Sequence, residues 1–322
     1  MTIKNDYPLS EILWYKVGGK AKYYIFAENK EDVLQAFDFI KENKPQRIFI
    51  CGLGSNLIFS DDYFDGLVMR ISTTDKTNSL QIIDKDAIEV FGGVVLDDLI
   101  TFCFENSLVG LEWAGGLPGT VGAGVRGNVG AFGGEIKDSF ISAEVLEMKD
   151  GGYETYEIGR EDFHFSYRNS IVKEKKNLIV LSALFQFKKA DAEELEKAKE
   201  VYKKSVDYRK TNHPIEYPTC GSVFKNIHTK EDVAKILSVW PETQELVDGK
   251  WHGKFSMGDI IKRLGLTGYK VGGMEVSPKH SNFIVNLGGA KASDSKAIIS
   301  EIQKRVYDTF GFSPEVEVEI VQ

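Results

Sequence analysis

The chain has 322 residues, 42% hydrophobic and 27% charged, with a formal net charge of −8 and a pI of about 5.4. Such a composition belongs to a folded globular chain of about two domains and excludes bulk disorder, collagen-like repeats and extended coiled coil. The acidic balance argues against a nucleic-acid polymer as partner. No run reaches the roughly 18 apolar residues of a membrane span, and Met1 to Ser10 lacks the apolar stretch of a signal peptide. Cys51, Cys103 and Cys220 are widely spaced without a CxxC pair, and the histidines lack ligand spacing. Neither a disulfide framework nor a metal site is expected, and a reducing, cytoplasmic compartment fits.

In chain order, Val33, Leu34, Phe37 and Ile40 share one face and predict a helix over Glu31–Asn43. Arg47–Cys51 reads as a buried strand and runs into the Gly-rich turn Gly52-Leu53-Gly54-Ser55-Asn56-Leu57. Helix, strand and Gly-rich turn is an arrangement whose backbone N–H groups can cradle phosphate. It is neither GxGxxG, since position 57 is Leu57, nor a P-loop; taken alone it is also what a tight turn looks like. Leu67–Ile71 and Ala87–Val90 read as strands and Val94–Glu105 as a helix. Ala143–Met148, Tyr153–Ile158 and Leu178–Phe187 make the middle strand-rich, with Asp150-Gly151-Gly152 as a hairpin turn. Asp191–Tyr208 is rich in Glu, Lys and Ala and reads as an exposed helix with a solvated face. His213–Pro218 is expected to be an extended connector. Ser256–Leu264 follows as a short helix, Phe283–Asn286 as a strand, and Ser293–Phe310 as a helix capped by Ser293 and stopped by Gly311. The terminal Val316–Val321 alternates, with Val316, Val318 and Ile320 on one face. The order is α+β.

Glycine is the informative excess. Of the 31 glycines, ten lie between Gly110 and Gly134, interleaved with Leu111, Trp113, Leu117, Val121, Val125, Val129 and Phe132. A flexible linker would lack those apolar residues, so the segment reads as packed backbone that approaches a ligand closely.

Gly115-Gly116-Leu117-Pro118-Gly119-Thr120-Val121-Gly122, with Asn128-Val129-Gly130-Ala131-Phe132-Gly133-Gly134-Glu135, resembles the flavin-cradling loop of the UDP-N-acetylenolpyruvoylglucosamine reductase (MurB) family of peptidoglycan precursor synthesis. The resemblance covers nearly the whole chain. It includes Tyr15 to Gly19, the pyrophosphate loop Gly52 to Leu57, and the Tyr-Arg segment Phe165 to Ser170. It continues through the Gly-Ser-x-Phe segment Cys220 to Asn226, Gly258 to Leu266, Lys279 to Asn286 and the final Glu317-Val318. It implies an α+β protein with a vanillyl-alcohol-oxidase-type (PCMH-type) FAD domain in two subdomains, 1–72 and 73–205. A C-terminal α/β substrate-binding domain, 206–322, would return its last strand to the active site.

The implied reaction passes a hydride from NADPH to FAD, then from FAD N5 to the vinyl C3 of UDP-N-acetylglucosamine enolpyruvate, with protonation at C2, giving UDP-N-acetylmuramate. The resemblance implies that Gly52, Gly54, Ser55, Asn56, Leu57, Gly115, Gly116, Pro118, Gly119, Thr120, Gly122, Asn128 and Gly130 bind FAD. It implies Arg168, Ser222 and Glu317 as catalytic residues and Tyr167, Lys225 and Asn226 as substrate contacts. The chemistry needs such groups: hydride addition drives negative charge onto the enolpyruvyl carboxylate, where a guanidinium and a protonated acid stabilise it. Serine at Ser222 would give the proton to C2. Each residue also has a plain structural explanation: a surface ion pair for Arg168, a turn for Ser222, a solvent-facing strand position for Glu317. Glu315 shares the parity of Glu317, which is preferred by counting from Phe310-Gly311.

The chain departs from the family pattern at Lys20, at Arg126-Gly127 and at His213. The short interval from Phe187 to Arg209 lacks the inserted loop that carries a tyrosine over the substrate in one subclass. A monomer is expected, with the enolpyruvyl nucleotide sugar as its small-molecule partner and no membrane. Two other readings stay open: a flavin oxidoreductase of the same fold acting on another small molecule, and a flavin or nucleotide-sugar binding protein without turnover.

Overall fold

Asn29 ends an extended stretch and accepts a hydrogen bond from the Asp32 N–H at 2.8 Å, starting a helix over Lys30–Asn43. That helix connects two strands of one sheet, Lys20–Ala27 and Ile48–Cys51, which flank Phe64–Ile71 and both run parallel to it. Parallel neighbours need such a crossover. The computed structural model describes residues 1–150 and 152–322. Two units form within the chain: Met1–Tyr7, Ala21–Leu53 and Phe64–Arg209 make the first; Pro8–Lys20, Gly54–Tyr63 and Lys210–Gln322 make the second. Segments 8–20 and 54–63, which a linear division of the chain gives to its first third, belong to the second unit.

The first unit holds that sheet, with Thr2–Pro8 beside Lys20–Ala27, and a five-stranded antiparallel sheet. The latter runs in the order Gly152–Gly159, Phe140–Lys149, Leu178–Gln186, Ala87–Phe91, Leu80–Asp84. Of the expected turn Asp150-Gly151-Gly152, Gly151 lies outside the described residues, while Lys149 pairs with Gly152. Ile25, Leu67, Ile88, Val90, Leu99, Val121, Val145 and Phe185 are wholly buried in one continuous core. Each such side chain stabilises the fold by about 1.5–3 kcal/mol relative to exposure.

The charged helix runs further than its composition predicts, over Ala192–Asn212, and it is not solvated all round: Ala198, Ser205 and Arg209 are buried. From Phe187 the chain reaches it through only the short strand Lys188–Lys189 and the residues Ala190 and Asp191, so no inserted loop stands there.

The second unit has an antiparallel sheet in the order Thr219–Ser222, Phe283–Asn286, Met274–Val276, Lys270–Val271, and a parallel pair, Glu319–Val321 with Leu57–Phe59. Helices Lys230–Val239, Met257–Arg263 and Ala292–Phe310 supply its core with Ile236, Ile260, Ile298 and Ile302. Tyr15, Val17 and Ile58, from the two inserted segments, are buried in the same core.

Three segments fold differently from what their sequence predicts. Ser293 is not the cap of the last long helix: the helix begins at Ala292, and Asp61 accepts from the N–H groups of Ala292 (2.7 Å) and Ser293 (3.0 Å). The terminal alternation fails, because Val318 and Val321 are the buried residues and only Glu319–Val321 is a strand. The cause is a bulge-like step in which the N–H groups of Glu317 (2.8 Å) and Val318 (3.4 Å) share the Val223 carbonyl. His213–Pro218 turns instead of extending: Tyr217 N–H donates to Pro214 O at 3.2 Å. No helix among the described residues is long and apolar enough to cross a membrane.

Candidate active site

In the first unit, Gly52 follows the carboxyl end of a parallel strand, the edge of an open sheet where ligands bind. A Cβ there would stand 2.4 Å from Thr120 Oγ1, so the turn and the Thr120 loop meet as main chain against side chain. Thr120 is buried, and its Oγ1 accepts from the Ala123 N–H at 3.5 Å to open the short helix Val121–Arg126. The loop is tied to segment 92–96 by Leu96 N–H to Gly119 O (3.0 Å), Val121 N–H to Val94 O (2.8 Å) and Gly122 N–H to Gly92 O (2.8 Å).

The glycines of this loop divide by use. A Cβ on Gly115 would stand 2.6 Å from the Tyr202 ring, and Gly116, at φ +71°, donates its N–H to Asp97 Oδ1 at 2.9 Å. A Cβ on Gly122 would stand 3.0 Å from Gly92 O, whereas one on Gly119 meets nothing within 4 Å. Gly115 therefore serves packing, Gly116 a left-handed turn and Gly122 a close backbone approach, while Gly119 borders open space beside Pro118. Arg209 Nη1 donates to Gly115 O at 2.7 Å and stays buried. Burial pulls its guanidinium below the ordinary arginine range, against the pull of Asp97. The open space at Gly119, next to Thr120, could receive the phosphates of a dinucleotide.

Arg168 also lies in the first unit, at the tip of a tight turn in which Ser166 and Asn169 exchange N–H···O bonds of 3.2 and 3.1 Å. Its φ of +58° is a strained left-handed conformation. The turn is held from several sides. Lys173 Nζ donates to Arg168 O at 2.8 Å, and Arg168 Nη2 donates to Gly130 O at 2.7 Å. The guanidinium carbon lies 4.9 Å from the centre of the Tyr167 ring. Asn128 is wholly buried. Its Nδ2 donates to Ser166 O (2.9 Å) and Glu135 Oε2 (3.1 Å), and its Oδ1 accepts from Lys137 N–H (3.4 Å). Its side chain thus braces the Arg168 turn. Burial raises the Glu135 carboxyl, but hydrogen bonds from Lys137 and Asn128 and the Lys137 and Arg168 charges outweigh it and hold it below the usual range.

The second unit carries the rest. Gly54, at φ +70°, packs on Leu13 and accepts from the Trp14 N–H at 3.4 Å. Asn56 Nδ2 donates to Glu317 O at 3.4 Å, and Leu57 pairs with Glu319. A Cβ on Gly221, at φ +83°, would stand 3.9 Å from Ser55 O. Ser222 follows, half-buried, paired with Phe283. Glu317 N–H donates to Val223 O at 2.8 Å, which joins the strand bearing Ser222 to the segment bearing Glu317. Glu315 is 61% exposed on its side chain and ion-paired with Lys225, whereas Glu317 is half-buried. Asn226 Oδ1 accepts from Met257 N–H at 3.1 Å, so toward a ligand it would act through Nδ2.

Sequence reasoning did not find Lys173, Arg209 or Asn282. Asn282 is buried and bonds both the N–H and the C=O of Phe224, from 58 residues away. Both residues lie in segments that resemble the family, Cys220 to Asn226 and Lys279 to Asn286, but their pairing is visible only in space.

Residues 213–321 match the model described as UDP-N-acetylenolpyruvoylglucosamine reductase, C-terminal domain, and residues 21–156 match an FAD binding domain. A UDP-N-acetylenolpyruvoylglucosamine reductase of Caldicellulosiruptor bescii is 38% identical over 98% of this chain and 90% of its own length. The chain belongs to the UDP-N-acetylenolpyruvoylglucosamine reductase family. The reductase of Anoxybacillus flavithermus is similar over 99% of the chain and 94% of its own length, at 33% identity. The crystal structure of the Thermus caldophilus reductase covers 100% of this chain and 98% of its own, at 26% identity with a TM-score of 0.71. As a member of the reductase family the protein is an FAD-dependent oxidoreductase of peptidoglycan precursor synthesis, with an FAD-binding domain followed by the family's C-terminal domain.

Proposed function

We propose that the protein reduces UDP-N-acetylglucosamine enolpyruvate to UDP-N-acetylmuramate with NADPH as the electron source, as a member of the subclass without the tyrosine loop. Bound FAD would supply hydride chemistry to the vinyl C3, with its electrons drawn from NADPH. The chain's own residues then have the following work. Main chain at Gly52 and Gly119, with Thr120, would receive the FAD pyrophosphate, aided by Gly54, Ser55, Asn56 and Leu57, while Gly122, whose N–H is taken by Gly92 O, holds the loop against segment 92–96. Gly115, Gly116, Pro118, Asn128 and Gly130 give the cofactor loop and the Arg168 turn their shape.

Arg168 binds the enolpyruvyl carboxylate, where negative charge accumulates as C3 gains the hydride. Its strained turn and the Gly130 and Lys173 bonds mean that it is oriented before substrate arrives, which removes reorganisation from the reacting step. Glu317 is the acid that this reading assigns to the same carboxylate. Ser222 gives its hydroxyl proton to C2 and is reprotonated from water. NADPH thus loses two electrons and the substrate's double bond gains a hydride and a proton. Tyr167 stands beside the guanidinium, and Lys225 and Asn226 bind the nucleotide-sugar part.

The observation that carries this reading is the 2.8 Å bond from Glu317 N–H to Val223 O, which sets the acid's segment against the residue following the serine. Anaerobic reduction by NADPH should bleach the flavin, and adding the enolpyruvyl substrate should restore the oxidised spectrum rapidly. Ser222→Ala should bleach normally and recover roughly 10²–10⁴-fold more slowly. Bleaching without recovery in the unmodified protein would instead favour a flavin oxidoreductase of this fold with another substrate.

A further inference from the structure

We infer that Asn282 is a positioning residue for Ser222, an inference that rests on the proton-donor reading of that serine. The strand bearing Ser222 is irregular. Its pairing with Phe283–Asn286 shifts register between Thr219 and Ser222, and Gly221 takes a positive φ. The ladder therefore holds the serine only at its pairing with Phe283 and not through the residues directly before it. Asn282 supplies the missing constraint. It is 3% exposed and directly precedes Phe283, the partner of Ser222. Its carbonyl accepts from Val223 N–H at 2.8 Å. Its side chain takes both main-chain groups of the following residue: Phe224 N–H donates to Oδ1 at 3.0 Å, and Nδ2 donates to Phe224 O at 2.8 Å.

The two residues after Ser222 are thus held at three points by one residue, and a neutral side-chain amide offers the acceptor and the donor that the N–H and C=O of Phe224 require. Val223 O is the acceptor for Glu317 N–H, so the same clamp also fixes the acid's segment. Asn282 is itself anchored, its N–H donating to His280 Nδ1 at 3.2 Å. Burial makes that imidazole harder to protonate, which keeps Nδ1 an acceptor.

The test is stopped-flow reoxidation of the NADPH-reduced holoenzyme at saturating enolpyruvyl substrate. Asn282→Ala should bleach at a rate within about twofold of the unmodified protein and reoxidise roughly tenfold to a hundredfold more slowly, because a displaced donor misses the near-attack geometry. In the Ser222→Ala background the same substitution should cost nothing further, since its effect passes through the serine. Asn282→Asp gives a second readout. Its protonated carboxyl has the amide's donor and acceptor, so reoxidation should recover as pH falls, on a limb absent from the unmodified protein.

Reoxidation of Asn282→Ala at the unmodified rate would overturn the inference. So would an equal loss with and without Ser222, or a flat pH profile for Asn282→Asp, which carries the test alone if the alanine variant does not fold. Failure of the unmodified protein to reoxidise would overturn the proposed function, and this inference with it, before any variant is compared.

Discussion

Single residues in this protein act where backbone groups would otherwise lack partners. Asp61 is the clearest case. The first N–H groups of a helix have no partner inside it, and at Ala292 and Ser293 a carboxylate from a distant loop takes both. Negative charge at that end also meets the positive end of the helix dipole. Asp61→Ala should lower stability by about 1–2 kcal/mol in urea titration, and Asp61→Asn by less, since an acceptor remains. The pH dependence has a definite sign. Burial raises the Asp61 carboxyl, but the Ala292 and Ser293 bonds and Lys291 prevail and hold it below 3.8. A depressed carboxyl contributes fully above that unfolded value and loses its contribution as pH falls through the folded one. The stability gap between the unmodified protein and Asp61→Ala should therefore close on acidification below about pH 4. A gap that stays constant down to pH 2 would refute the assignment.

At the scale of elements, the glycine-rich loop separates two demands that look alike in sequence. Gly115 has no Cβ because Tyr202 fills that volume, with its ring 2.6 Å and its carbonyl 2.8 Å from a Cβ. Gly119 has none although the space is open. Gly115→Ala should thus destabilise the cofactor-free protein by about 1–3 kcal/mol, the usual cost of overpacking. Gly119→Ala should leave that stability unchanged and weaken FAD retention, measured as flavin per chain after gel filtration. Full retention by Gly119→Ala would remove Gly119 from the cofactor site.

This contrast marks what was legible. Helices with one apolar face, Lys30–Asn43 and Ala292–Phe310, follow from periodicity, whereas the roles of Arg168 and Ser222 are implied by family motifs and belong to the proposal. Helix Val121–Arg126 does not, because Gly122 and Gly124 disfavour a helix. It forms through the Thr120 cap and the bond from Gly122 N–H to Gly92 O, a tertiary contact absent from any local window. Arg209 was hidden for the opposite reason: its charged helix looks wholly solvated until the Gly115 carbonyl is seen beside it.

Across the whole molecule, the sequence boundary of the C-terminal domain and the boundary of the folded unit differ. The family match begins at residue 213, yet the second unit also needs 8–20 and 54–63. Tyr15 and Ile58 are wholly buried in its core, and Tyr15 OH bonds Ser295 Oγ at 2.9 Å. Asn286 Nδ2 donates to Tyr15 O at 3.0 Å, strand Glu319–Val321 forms a two-stranded sheet with Leu57–Phe59, and Asp61 caps the long helix. A fragment of residues 210–322 would lose all of these at once. Removing Tyr15 and Ile58 alone forfeits several kcal/mol, since each large-to-nothing core deletion costs about 2–5 kcal/mol, and the total stability of a domain is only about 5–15 kcal/mol. The fragment should lack a cooperative thermal transition and show poor amide dispersion by NMR, while a redesigned single chain joining 8–20 and 54–63 to 210–322 through flexible linkers should regain both. Cooperative unfolding of the 210–322 fragment by itself would mean that the inserted segments only decorate a self-sufficient core.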